Sequence, residues 1–196
     1  MAQRVSLALI TMAQARIPLL GYALLGLLSH EPASGYDLRK IFSTTAMGTF
    51  SDSPGAIYPG LRRLEASGLV RGQIEHRGGL RRREVFRPTA SGTRELKKWL
   101  CQPVARDNVV RGMHELMLRF SFMDKVMGEE ASINFLNALE RELNAYIPTL
   151  REFLAANKTK MPFSGGLALE SGIRGYEAQL EWARSANRAY QKRGKS

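Results

Sequence analysis

Four arginines, Arg77, Arg81, Arg82 and Arg83, crowd around the glycine pair Gly78-Gly79. A guanidinium stays charged at any physiological pH and presents its donors as a fork matched to paired oxygens. Four of them at a chain reversal are chemistry for holding phosphate rather than for breaking bonds. Their mutual repulsion is relieved by an anionic partner; the plainer use is a solubilising charge run. Upstream, Arg62 and Arg63 stand side by side in a segment that also carries Ser53, Gly55, Ala56 and Tyr58, and Arg39-Lys40 stands earlier still. Gly55 and Ala56 are small enough for a backbone to approach a ligand closely. Ser53 and the first N–H groups of a helix suit phosphate oxygens. Tyr58 offers a hydroxyl to phosphate or a ring for stacking, or is a core residue with its hydroxyl at the edge. Arg62 and Arg63 suit phosphates or guanine edges, the alternative being a solvated helix face.

No catalytic pattern competes with this cationic one. His30, His76 and His114 are far apart without metal-ligand spacing, and no nucleophile or carboxylate pair stands out. Gly165-Gly166 lacks the lysine and strand context of a phosphate-binding loop. The sequence therefore predicts no enzyme, no metal and no cofactor. Cys101 follows Trp99 and Leu100 and is read as a small buried apolar residue, with a redox-sensing thiol as the alternative.

The bulk charge agrees with the cluster. The chain has 196 residues, 44% of them hydrophobic, a net charge of +11 and a pI near 10.2. Through Pro103 there are 15 Lys/Arg against 7 Asp/Glu, and beyond it 14 against 11. The excess sits with the arginine cluster, which points to a polyanion, nucleic acid before membrane surface. A single cysteine and the lack of a long apolar run predict a cytoplasmic chain. Arg4, the run Val5 to Met12 and Ala13-Gln14-Ala15 imitate a signal peptide. Ser6 and Thr11 interrupt that run, and residues 1–17 are read as an N-terminal helical arm.

The elements that must hold the arginines follow from spacing. Pro18 to Ser29 is apolar on nearly every side and predicts a buried helix. Ser34-Gly35-Tyr36-Asp37 has the form of a capping box opening a short helix with Leu38, Ile41 and Phe42 inward. Ser43 to Asp52 reads as a long turn. A helix from Ser53, with Pro54 in its first position, buries Ile57, Leu61 and Leu64 and stops at Gly68. Pro59 predicts a distorted first turn. Val70 to His76 and Arg82 to Pro88 read as a two-stranded hairpin around Arg77-Gly78-Gly79-Leu80, with Val70 and Ile74 on one face. Thr89 caps a helix carrying Leu96, Trp99 and Leu100 to the break at Pro103. Beyond, three apolar stripes predict helices: Val109 to Phe120, Leu136 to Phe153 with a kink at Pro148, and Leu169 to Tyr190 after a Met161–Gly166 loop.

Leu25-Gly26-Leu27-Leu28, Gly35-Tyr36-Asp37-Leu38 and Ser53-Pro54-Gly55-Ala56-Ile57-Tyr58-Pro59, with Leu61, Leu64, Glu65, Gly68 and Leu69, resemble the N-terminal winged-helix pattern of the PadR family of bacterial transcriptional regulators. Pro88 departs from it where an apolar strand residue is usual, and would end the second wing strand early; Phe86 stands where tyrosine is common. The fold expected is mainly α with a small β-hairpin wing: an arm (1–17), a winged helix-turn-helix domain (18–103) and an antiparallel helical dimerisation domain (104–196). The resemblance implies a sequence-specific regulator, expected to be a repressor. In a helix-turn-helix the second helix enters the major groove, so the helix from Ser53 is expected to read bases and the arginine hairpin to grip phosphate or minor groove. One such unit reads few base pairs, and a homodimer on a roughly palindromic operator is expected. PadR-like regulators often answer to small aromatic molecules, and Trp99, Met113, Met117, Tyr176 and Trp182 are the candidate effector-binding residues, ordinary core and seam packing being the alternative. The competing function is a winged-helix module that binds protein or RNA through its basic face.

Overall fold

The computed structural model describes residues 17–51, 54–76 and 82–193. The expected N-terminal arm up to residue 16, Ser53, Arg77, Arg81 and the hairpin turn lie outside the described residues. Contacts divide the chain into two compact units, one through Thr93 and one from Arg94.

The first unit is built on helix α1 (Leu19–His30), buried on nearly every side as its apolar sequence requires, with Ala23, Leu24 and Leu25 wholly inside. A two-residue strand, β1 (Ala33–Ser34), leads into helix α2 (Gly35–Thr44). The capping box is complete. The Ser34 hydroxyl oxygen accepts the Asp37 N–H at 3.3 Å, and the Asp37 carboxylate accepts the Ser34 N–H at 2.9 Å. The stretch expected to be a long turn contains a 3-10 helix, Ala46–Phe50, started by the Thr45 hydroxyl accepting the Met47 N–H.

A 3-10 turn, Pro54–Ala56, runs directly into helix α3 (Ile57–Ala66). This resolves the awkwardness of Pro59. With the α-helix beginning at Ile57, Pro59 is its third residue, where a backbone N–H has no intrahelical acceptor and its loss removes no bond. Ile57, Leu61 and Leu64 form the inner face against α1. Gly60 sits where a Cβ would come within 2.9 Å of Leu24 Cδ1, so the two helices approach closely there. Gly68 ends the helix at φ +68°, and the Gly68 and Leu69 N–H groups return to the Glu65 and Leu64 carbonyls at 2.8 Å each.

Strands β2 (Val70–His76) and β3 (Arg82–Pro88) pair antiparallel, Val70 opposite Pro88 and His76 opposite Arg82. The expected hairpin is joined by a third strand that was not expected: β1 pairs with β3, Ser34 opposite Val85, to give a three-stranded sheet of order β1-β3-β2. Two residues between a helix break and a cap are too short for any periodic signal. The expected early end at Pro88 does not occur. Pro88 closes β3 opposite Val70, past the end of β1. Val70 is buried but Ile74, on the same face, is 59% exposed, because only the base of the wing is covered by helices. The Thr89 hydroxyl accepts the Gly92 N–H at 3.0 Å and starts helix α4 (Ala90–Leu100).

The second unit continues from the end of α4 through α5 (Arg106–Arg111), α6 (Met113–Met127), α7 (Glu129–Asn157) and α8 (Phe163–Arg193). One expected helix is split at Gly112, and the expected Met161–Gly166 loop is shorter, because α8 begins at Phe163. Helices α7 and α8 run antiparallel: Arg151 meets Glu177, Arg184 meets Glu140 and Asn187 meets Asn137, one number falling as the other rises. Leu136, Leu139 and Leu143 of α7 with Ile173 and Ala183 of α8 form the seam. Cys101 is exposed, not buried as expected; it lies just past the last helical residue, in the turn that leaves α4. Among the described residues no helix is long and apolar enough to cross a membrane, and no group of His, Cys, Asp and Glu could hold a metal.

Candidate nucleic-acid interface

Helix α3 is amphipathic, and its outer face carries the candidate readers. Arg62 and Arg63 are exposed, Tyr58 is 47% exposed and Gly55 and Ala56 lie in the 3-10 turn before it. Tyr58 is held rather than free to swing: a Cβ on Gly35 would come within 2.5 Å of the tyrosine ring, so the missing side chain at the start of α2 makes the seat for Tyr58. On α2, Arg39 stacks its guanidinium 5.7 Å from the centre of the Tyr36 ring, and Lys40 is exposed. Tyr36, 60% exposed, adds an aromatic to this face that was not among the expected DNA-binding residues.

The arginines then divide. Arg63 and Arg82 are exposed, and no ion pair is described for either among the described residues. Arg62 and Arg83, by contrast, are tied down. Arg62 Nη1 and Nη2 grip Glu84 at 3.0 and 2.8 Å, and Nη1 also reaches Glu65 at 2.8 Å. Arg83 pairs with Asp37, the capping carboxylate of α2. The electrostatics follow these contacts. Burial alone would raise the Asp37 carboxyl, but the Ser34 hydroxyl and N–H and the Arg83 charge outweigh it and hold it below its ordinary value. The Gly72 N–H, then Arg62, hold Glu65 below its ordinary value. Glu84, then Glu65, push the Arg62 guanidinium upward. The pairing of Arg62 with Glu65 was legible as an i,i+3 pair on a helix. Its pairing with Glu84, 22 residues away on another strand, had no local signal.

The five candidate effector residues lie in the second unit. Trp99 is buried and donates its ring N–H to Glu115 at 3.0 Å. Tyr176 meets Tyr146 edge-on at 5.2 Å between ring centres, and Trp182 meets Phe120 likewise at 5.2 Å. Met113 and Met117 are half-buried on α6. None of the five lines the cleft of about 470 Å3 between α7 and α8, which is walled by Arg151, Leu154, Lys158, Phe163, Leu167 and Arg174 among others.

The profile of the Transcriptional regulator PadR-like family matches residues 24–98, from α1 to near the end of α4. The Negative transcriptional regulator PadR of Bacillus subtilis (strain 168) is 30% identical over 148 residues, 74% of this chain and 80% of that protein. The chain belongs to the PadR-like family. As a PadR-like protein it is a transcriptional regulator and not an enzyme. Solved structures similar to this PadR-like chain include that of Bacillus subtilis PadR in complex with operator DNA (22% identity, 87% of this chain and 98% of that one, TM-score 0.40). A PadR-like transcriptional regulator from Bacillus cereus is similar as well (26% identity, 91% and 99%, TM-score 0.41). The family membership rests on the sequence matches.

Proposed function

We propose that this PadR-like regulator is a cytoplasmic repressor that binds a roughly palindromic operator as a homodimer. Helix α3 enters the major groove with Gly55, Ala56, Tyr58 and Arg63 toward the bases, and Ser53, Arg39 and Lys40 hold phosphates. Arg77, Arg81 and Arg82 on the wing follow the backbone or the adjacent minor groove. The observation that carries this reading is the exposed cationic and aromatic face around the first turns of α3, in a chain that belongs to a family of regulators. The repressing sign is supported by the relative's name as a negative regulator. Dimerisation through the C-terminal helices is supported by apolar side chains that one chain leaves in water there: Phe153 is 56%, Phe163 86% and Leu167 51% exposed. The edge-on pairs Trp182–Phe120 and Tyr176–Tyr146 supply aromatic faces of the kind a planar effector stacks on, with Trp99, Met113 and Met117 as the further candidates.

The deciding experiment is a footprint on the DNA upstream of the protein's own and neighbouring genes, with light scattering on the same sample. A protected site with two-fold symmetry and a dimer mass are expected. Preferential binding to RNA, or a monomer both free and on DNA, refutes the reading. Tryptophan fluorescence against a panel of phenolic acids and planar dyes tests the effector; a flat response across the panel excludes it.

A further inference from the structure

We propose that Arg62, Glu65 and Glu84 form a brace that sets the wing against the recognition helix, so that Arg62 is a positioning residue for operator recognition and not a reader of DNA. The proposal rests on the DNA-binding reading above. Three elements meet in this cluster. Glu84 on β3 takes both outer nitrogens of Arg62 in a fork, the geometry that fixes orientation as well as distance. Glu65, one turn along α3, shares Arg62 through one carboxylate oxygen at 2.8 Å and with the other accepts the Gly72 N–H of β2 at 3.0 Å. Arg62 also lies 5.7 Å from the centre of the Phe86 ring, and Phe86 is buried on β3 two residues beyond Glu84. Gly72 completes the fit: a Cβ there would stand 2.7 Å from Glu84 Oε1 and 3.0 Å from Glu65 Oε1, so only glycine leaves the cluster room.

The donors that a phosphate or a guanine edge would need are the ones engaged by Glu84 and Glu65. For affinity alone the arrangement is unfavourable, since two carboxylates around one guanidinium leave a net negative charge on a surface meant for DNA. Geometry is what it provides. Adjacent residues on a strand point to opposite faces; Glu84 ties one face of β3 to α3, and Arg83 ties the other to α2 through Asp37. The wing is thus fixed to both helices of the helix-turn-helix, and the angle at which its arginines reach the backbone is set by α3.

Four variants of the full chain, R62K, R62Q, E84A and R62Q/E84A, would be measured for binding to operator and to unrelated DNA across a salt series. R62K keeps the charge and loses the fork. The brace predicts that all four lose discrimination between operator and unrelated DNA by a similar factor, roughly threefold to tenfold, the double variant no more than the singles. It also predicts an unchanged salt slope on unrelated DNA for R62Q. A direct phosphate contact predicts instead that R62K is near wild type and that R62Q lowers the slope by about 0.9 for every sequence. Either result, or operator affinity that rises in E84A as simple charge removal requires, overturns the proposal. Amide exchange of the free protein supplies an arm independent of DNA. Gly72 exchange is expected to quicken about tenfold in E65A and to rise also in R62Q; unchanged exchange overturns the brace. Wild-type protein that does not bind DNA refutes the recognition role with the DNA reading, while the exchange arm still decides whether the brace exists.

Discussion

At Gly92 one methyl group is decisive, because a Cβ would stand 1.9 Å from the Leu69 carbonyl oxygen, a backbone atom already engaged by the Thr89 N–H at 3.0 Å. Gly92→Ala is therefore expected to cost about 3 kcal/mol by overpacking, lowering the melting temperature by roughly 10 °C in a thermal scan. Arg119 is the other residue on which much depends. It is 1% exposed, donates to the Leu100 carbonyl at 3.0 Å and to the Gln102 carbonyl, and lies 5.4 Å from the centre of the Phe135 ring. Among the described residues its Nε has no hydrogen-bond partner, and burial draws its pKa below the ordinary guanidinium value, against the opposing pull of Glu115. Arg119→Ala would strand the carbonyls that end α4, and a loss of about 3 kcal/mol is expected in urea unfolding. What was legible at this scale was local: the Ser34–Asp37 box, the Thr89 cap and the Gly68 stop each depend on residues within four positions. Arg119 reaches back 17 and 19 residues to its acceptors, and the exposure of Cys101 depends on where α4 ends. Neither leaves a periodic trace.

Among elements, the wing is the one whose attachment titrates. Asp37 and Glu65 have pKa values depressed from 3.8 and 4.5, so each binds its proton more weakly folded than unfolded. The stability they contribute is present above those ordinary values and is lost as pH falls through the lower, folded ones. Carboxyl NMR titrations should place both midpoints below 3.8 and 4.5. Gly72 protection should stay flat near neutrality and fall in acid; a midpoint at or above the ordinary value for either residue contradicts the contacts described. Helix existence was readable from apolar stripes throughout, and β2 and β3 from turn signals at their ends. The two 3-10 turns and β1 were not readable, because elements of two to five residues carry no period and owe their form to the neighbours that hold them.

Over the whole molecule, the net charge of +11 is lopsided toward the N-terminal half, and binding to any DNA should weaken steeply with salt. Replacing Arg77, Arg81 and Arg82 together by alanine is expected to reduce the slope of log K against log salt by about 2.7 on unrelated DNA, measured by fluorescence anisotropy. An unchanged slope would remove the wing from the interface. The sheet that bears Arg82 has a further consequence for the free protein. Among the described residues its order β1-β3-β2 leaves both edges open, and an open edge is a template on which another copy can add a strand. One edge is only two residues long. On the other, the Gly72 N–H is already claimed by Glu65, a carboxylate that an incoming strand would have to displace. The side chain that braces the wing is thus also expected to hinder edge-to-edge stacking in concentrated protein, and Glu65 variants are the ones in which slow aggregation should be sought.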